Sequence, residues 1–295
     1  MSVYDISGNE LNLFKNYKLV GAVLDASSET NRFLAMKQLF DIAEKKLKDS
    51  DYSPSASEFT YATKGAVCLL PDNPAMYEQY PIEILWSQNS NVQSKPASTT
   101  KVMNLVTALP FIDDIKEKVT LVSGDIESGS GNYFSAGDVL TIEDLIFGMM
   151  LPSSNTCAKT LAHFVGSKIL DNSSASISDC VTAFIAEMNK KAALLGCTGS
   201  TFDTPSGLST TNKSTVSDML RFTIEACSFP EILRVWNKKS YDIAVGGTNA
   251  RTQTVTTTVA NDTLEAAYYI FGGKTGYLNN NTANALVMVA EPIGA

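Results

Sequence analysis

Residues 17–26, YKLVGAVLDA, form a nearly unbroken apolar run of strand length. The period then changes. Phe33, Leu34, Met36, Leu39, Phe40, Ile42 and Ala43 recur at helical spacing, with Ser28 placed to cap the helix. A polar, Pro-containing stretch over 49–62 reads as a linker. Two strand-like runs follow at 64–70 and 82–86, on either side of a Pro-rich loop, and a helix is predicted from about Ser98. Residues 119–140 are rich in Gly and Ser and read as loop with short strands.

TIEDLIFGMML opens on a capping box, Thr141 with Asp144, and Pro152 breaks the helix that follows. Helical periodicity resumes in SNTCAKTLAHFVG, in SISDCVTAFIAEMNKKAALLG with Gly196 as its stop, and in STVSDMLRFTIEACS. YDIAV, TQTVTTTV, AAYYIFGGKTG and NALVMVAE close the chain as strands. Strands, a block of helices and strands again predict an α+β fold: an antiparallel sheet flanked by helices, with an inserted helical lobe over 102–230. We expect residues 1–16 to be an N-terminal arm and 17–295 a single domain.

Charge narrows the partners. With 23 basic against 31 acidic residues, net charge −8, the chain lacks the basic footprint that a phosphate backbone requires, and no nucleic-acid partner is expected. No apolar run reaches transmembrane length, and the N-terminus reads as having no signal peptide. The five cysteines (68, 157, 180, 197 and 227) are scattered and form no Cys-x-x-Cys, so they read as buried free thiols. His163 is the single histidine and lies on a helical pattern, which points to packing rather than catalysis. No metal and no cofactor are expected.

The chemistry gathers in SKPASTTKVMNLVTAL. Ser98 and Lys101, three apart at a helix start, share one face with Cβ atoms about 5–6 Å apart. A serine hydroxyl needs a base, and lysine can be one only when neutral. At neutral pH that means lowering its pKa by about three, a cost of roughly 4 kcal/mol, through burial or a nearby cation. The same spacing also fits an ordinary N-cap, and Ser-x-x-Lys arises by chance about once in several hundred positions. Ser-x-Asn occurs at Ser7/Asn9, Ser87/Asn89, Ser130/Asn132 and Ser153/Asn155. Only the last lies on a tight loop between two helices. FGGKTGYL offers Lys274, Thr275 and Gly276 on a strand, with Tyr277 supplying a backbone N–H. Read alone, it is either an edge strand guarded by a lysine or a strand approached by a ligand.

Ser-x-x-Lys, Ser-x-Asn and Lys-Thr-Gly in this order are the signature of penicillin-binding proteins and serine β-lactamases. KPASTTKVM, GDVLTIEDLIFGMMLPSSNTCAKTLA, FIAEMNKKAALLGCTGSTFDTPSGL and FGGKTGYL resemble the D-alanyl-D-alanine carboxypeptidases among the low-molecular-mass penicillin-binding proteins, over about residues 64–291. The resemblance implies the transpeptidase-like fold of that superfamily. It also implies an acyl-enzyme at Ser98 formed on peptidoglycan stem peptides ending in D-Ala-D-Ala, acylation by β-lactams, and an extracytoplasmic location in cell wall or periplasm.

In that scheme Lys101 takes the proton of Ser98, Ser153 and Asn155 sit opposite with Ser153 helping relay a proton to the leaving group, and Lys274 supports the network. Thr275 meets the substrate carboxylate, and the N–H groups of Ser98 and Tyr277 hold the oxyanion beside Gly276. Arg251, the nearest arginine upstream of Lys-Thr-Gly, is the candidate second partner of the carboxylate. Thr156 and Asn212 stand where the family commonly has Asp and His, and no class A deacylating carboxylate is recognisable. A β-lactamase and a non-catalytic wall-peptide-binding homologue are the rival readings. The chain ends one strand after Lys-Thr-Gly, whereas 17–48 reads like the strand and helix that close the fold in relatives. We therefore expect a circular permutation, with 17–26 pairing beside 64–70.

Overall fold

The computed structural model describes residues 3–4, 10–11, 17–71, 82–278 and 283–293. In chain order the elements are β1 (Val3–Tyr4), β2 (Glu10–Leu11), β3 (Leu19–Ala26), α1 (Glu29–Lys48), β4 (Ala62–Leu69), β5 (Ile84–Gln88), α2 (Thr100–Ala108), β6 (Lys118–Thr120), β7 (Asp138–Thr141), α3 (Ile142–Met150), α4 (Asn155–Ile169), α5 (Ile177–Leu194), α6 (Val216–Ala226), α7 (Pro230–Trp236), β8 (Ser240–Gly247), β9 (Arg251–Thr256), α8 (Asp262–Glu265), β10 (Tyr268–Leu278) and β11 (Ala283–Pro292). Ser28 caps α1 by accepting from the Asn31 N–H, and Thr141 and Asp144 form the reciprocal capping box of α3.

A five-stranded antiparallel sheet in the order β10-β11-β3-β4-β5 organises the molecule. β3 is central, with Leu19 opposite Leu69 on one side and Leu286 opposite Val23 on the other. This explains its unbroken apolar run, since both faces are covered. Leu19 and Val23 meet the apolar stripe of α1, which buries Phe33, Met36, Leu39 and Phe40, while Val20, Ala22 and Leu24 face the helical lobe. Burying these side chains contributes about 1.5–3 kcal/mol each relative to exposure.

The sequence pattern reads YDIAV and TQTVTTTV as strands without assigning their neighbours. YDIAV and TQTVTTTV do not join the main sheet. As β8 and β9 they form a second, four-stranded antiparallel sheet in the order β6-β7-β8-β9. Alternation identifies a strand but not its neighbour: β8 pairs with the short strand β7 beside the Gly-rich segment, and β9 pairs with β8. All five cysteines are free and buried. His163 is held on α4 by Asp125, Nδ1 to Oδ1 at 2.9 Å. Among the described residues no helix is long and apolar enough to cross a membrane, and no three His, Cys, Asp or Glu side chains are grouped to hold a metal ion.

Candidate active site

Ser98 lies in a single 3-10 turn, Ala97–Thr99, leading into α2. Neither the turn nor the helix has a side-chain cap bond, so Ser98 is not an N-cap. Its Oγ instead lies 2.8 Å from Lys101 Nζ. Lys101 is fully buried, and its other two partners are Asn155 Oδ1 and the carbonyl of Ser206, each at 2.8 Å. This set decides the proton's path. An amide oxygen and a carbonyl can only accept, so they take two N–H donors from the lysine. Ser98 is the one partner that can donate, so the lone pair of a neutral Lys101 is left for its hydroxyl. Burial brings Lys101 from 10.5 down to about 7.

Asn155, the first residue of α4, is itself oriented by donating Nδ2 to the Ser128 carbonyl at 2.8 Å. Beside it Ser153 sits on the tight loop between α3 and α4 with φ of 68°, a left-handed conformation uncommon for a residue with a Cβ. Ala97, immediately before Ser98, is left-handed too, with φ of 50°. Strained positions of this kind cost about 1–3 kcal/mol each and cluster at functional sites.

Lys274 comes from β10, the edge strand of the main sheet. Its buried Nζ donates to Ser153 Oγ at 2.8 Å and to the Thr275 carbonyl at 2.9 Å. Burial first, then the neighbouring cations Lys101 and Arg32, holds Lys274 well below the usual lysine range. Gly276 allows the strand to come this close, because a Cβ there would stand 2.7 Å from the Pro96 carbonyl oxygen. Thr275 points its hydroxyl at Thr258, 2.7 Å away. Tyr277 follows on the same strand with its side chain exposed.

The structure thus joins Ser98, Lys101 and Asn155 in one hydrogen-bonded cluster and Ser153, Lys274 and Thr275 in a second, with Gly276 packed against Pro96 and Ala97. It does not bring in Arg251. That guanidinium donates to Asp138 Oδ1 and Oδ2 at 3.2 and 3.1 Å and to the Tyr133 carbonyl, tying β9 to β7. The arginine that reaches the Lys274 strand is Arg32 of α1, 5% exposed, whose Nη1 donates to the Gly276 carbonyl at 3.3 Å. Its buried Nε has no hydrogen-bond partner among the described residues. Sequence proximity to Lys-Thr-Gly pointed to Arg251, whereas the contact with the strand belongs to Arg32. The usable signal was an arginine in register with the buried stripe of α1, at i, i+3, i+4 and i+7 with Ala35, Met36 and Leu39.

The two departures from the family pattern are accounted for. Thr156 accepts from the Glu127 N–H at 3.0 Å and fixes the loop that orients Asn155. Asn212 is fully buried and accepts from the N–H groups of Asp203 and Thr204, bracing TPSGL. That segment then supplies the Pro205 carbonyl to Asn104 Nδ2 and the Ser206 carbonyl to Lys101. Of the other Ser-x-Asn pairs, Ser7/Asn9 lies outside the described residues.

Known proteins resemble this chain in sequence and in fold. The family described as D-alanyl-D-alanine carboxypeptidase matches residues 76–293. The chain is 27% identical over 157 residues to D-alanyl-D-alanine carboxypeptidase DacF of Bacillus subtilis, covering 52% of this chain and 35% of that protein. It is 29% identical over 218 residues to D-alanyl-D-alanine carboxypeptidase DacB2 of Mycobacterium tuberculosis, covering 71% and 68%. The chain therefore spans about a third of the first relative's length and about two thirds of the second's. Among solved structures, the Streptomyces K15 DD-transpeptidase matches with a TM-score of 0.61 at 22% identity, over 76% of this chain and 87% of that one. A D-alanyl-D-alanine carboxypeptidase from Mycobacterium tuberculosis H37Rv gives 0.57 at 27%, over 72% and 78%.

Proposed function

Because the chain belongs to the D-alanyl-D-alanine carboxypeptidase family, we propose that it is a serine hydrolase that removes the terminal residue from peptidoglycan stem peptides ending in D-Ala-D-Ala, outside the cytoplasm, and that β-lactams acylate it. The single observation that carries this reading is the buried Lys101 with two acceptor-only partners and Ser98 as its third. Ser98 Oγ attacks the carbonyl of the penultimate D-Ala, and its proton passes to Lys101 Nζ. The N–H groups of Ser98 and Tyr277 stabilise the oxyanion. The amide C–N bond breaks as the Ser153–Lys274 pair passes a proton to the departing amine. Water then cleaves the ester by the same steps in reverse.

Thr275 and Arg32 receive the terminal carboxylate. The Arg32 guanidinium supplies the positive charge that favours an anionic chain end. For a D-Ala-D-Ala peptide, Arg32→Ala is expected to raise KM at least tenfold with a smaller change in kcat, and Arg251→Ala to leave both within threefold. Steady-state release of D-alanine measures this. The reverse ranking would restore Arg251 as the carboxylate partner.

We further propose that β3 and α1 replace the closing strand and helix of relatives by circular permutation. The register supports this, because Ala290 of β11 lies opposite Leu19 of β3, so the end of β11 stands beside the start of β3, where a short hairpin could join them. A chain with residue 293 linked to residue 17 and opened within 49–61 is expected to fold and to react with penicillin at the parent rate. Failure to fold would contradict the permutation.

A further inference from the structure

The loop between β6 and β7 passes over the start of α4, and its backbone closes around Asn155. The Ser130 carbonyl accepts the Asn155 N–H at 3.2 Å, and the Ser128 carbonyl accepts its Nδ2 at 2.8 Å. Gly129 permits this approach, since its φ is 107° and a Cβ there would stand 2.8 Å from Asn155 Nδ2. Thr156 holds the residue before them. Its Oγ1 accepts from the Glu127 N–H at 3.0 Å and donates to the Glu127 carbonyl at 3.2 Å. Glu127 is thus clasped to the two residues that open α4, and the first of these, Asn155, accepts from Lys101 Nζ.

Glu127 is half-buried, and its Oε2 is buried with no hydrogen-bond partner among the described residues. A carboxylate oxygen so placed is costly unless a charge compensates it. The cation that Glu127 faces is Lys101, whose charged form it favours.

The other groups around Lys101 leave Glu127 without a competitor. Cys157 of α4 is buried, and its thiol, pushed up to about 12, stays neutral. Asp144 of α3 faces that thiol and caps its own helix. Lys274 of β10 is a like charge, held low by burial, Lys101 and Arg32. Ser206, from TPSGL, offers an uncharged carbonyl. Asp125, in the same loop as Glu127, is engaged by His163 and the Val122 N–H.

In the proposed hydrolase, on which this reading rests, Ser98 Oγ loses a proton and Lys101 Nζ gains it. A neutral amine becomes a buried ammonium. Burial opposes that charge and Glu127 favours it. We propose that Glu127 is the counter-charge of Lys101: its carboxylate stabilises the ammonium that forms as Ser98 is acylated, and it acts through the lysine rather than on the substrate.

The test is the pH dependence of acylation by benzylpenicillin between pH 5 and 9, for the parent, Glu127→Gln and Glu127→Ala. Without the carboxylate, burial acts unopposed and Lys101 holds its proton less tightly. The midpoint should fall by about one pH unit from the parent's value of about 7. A base weakened about tenfold also takes the proton less readily, so the plateau above pH 8 should drop about threefold. At pH 5.5 the neutral fraction of Lys101 gains more than the plateau loses, and both variants should react about twofold faster than the parent. The profiles therefore cross, which a loosened loop would not produce. Either variant that folds suffices for the reading. The proposal is overturned if the midpoint stays or rises, whether or not the rate drops uniformly. It is also overturned if only the lifetime of the penicilloyl adduct changes, which would assign Glu127 to the water of deacylation. If the parent is acylated at no pH, the hydrolase reading itself falls and takes the counter-charge with it.

Discussion

Replacing Lys101 by methionine is expected to slow acylation of Ser98 by about 10³-fold or more, at the upper part of what a positioned general base contributes. Methionine nearly fills the volume but cannot take a proton. The loss should be chemical rather than structural. Asn155 Oδ1 and the Ser206 carbonyl lose a donor, but a buried amine is also removed, so folding stability should stay within about 2 kcal/mol of the parent. Lys101→Arg is the sharper control, since it keeps the cation and cannot act as a base near neutral pH.

The sign of the pH dependence follows from the same residue. Burial puts Lys101 at about 7, and the form that accepts the Ser98 proton is the neutral one. Acylation should therefore rise about tenfold per pH unit below 7 and level off above it. A rate that falls as pH rises through 7 would mean that the lysine acts as a fixed cation and that some other group is the base. Stopped-flow acylation between pH 5 and 9 reads this directly.

Lys274→Met is expected to lower kcat/KM on a D-Ala-D-Ala peptide by about 10²–10³-fold, the range seen when one preorganised electrostatic partner is lost. Two functions go with it. Ser153 loses the donor 2.8 Å from its Oγ, and the Thr275 carbonyl loses the donor 2.9 Å away that holds the strand beside the carboxylate site. Both kcat and KM should therefore suffer, whereas Lys101→Met should act on kcat. An Lys274→Met variant impaired only in KM would confine Lys274 to binding.

Much of this site could be read from the chain because each motif is local. Ser98 and Lys101 meet through helical spacing, and Ser153 and Asn155 were singled out from four such pairs by the Pro-broken loop between two helices. Gly276 announced a close approach that proves to be contact with the Pro96 carbonyl. What could not be read depends on which distant elements touch. β8 and β9 alternate like any half-buried strand, and nothing in them specifies that β8 pairs with β7, and β9 with β8, rather than with the main sheet. Arg32 reaches Gly276 from 244 positions away because α1 crosses the face of the sheet. Its neighbourhood is a property of packing, although its place in an apolar stripe marked it as unusual. Ser206 and Pro205 contribute only backbone carbonyls, which carry no side-chain signature.

The central claim is that Lys101 makes Ser98 a nucleophile. The most direct measurement is intact mass after incubation with benzylpenicillin, for the parent and for Ser98→Ala. The account predicts one added penicilloyl group on the parent and none on Ser98→Ala. Hydrolysis of the drug without a lasting adduct would instead indicate a β-lactamase. Neither adduct nor hydrolysis would contradict the account, because the geometry at Ser98 would then be that of a fold that binds without reacting.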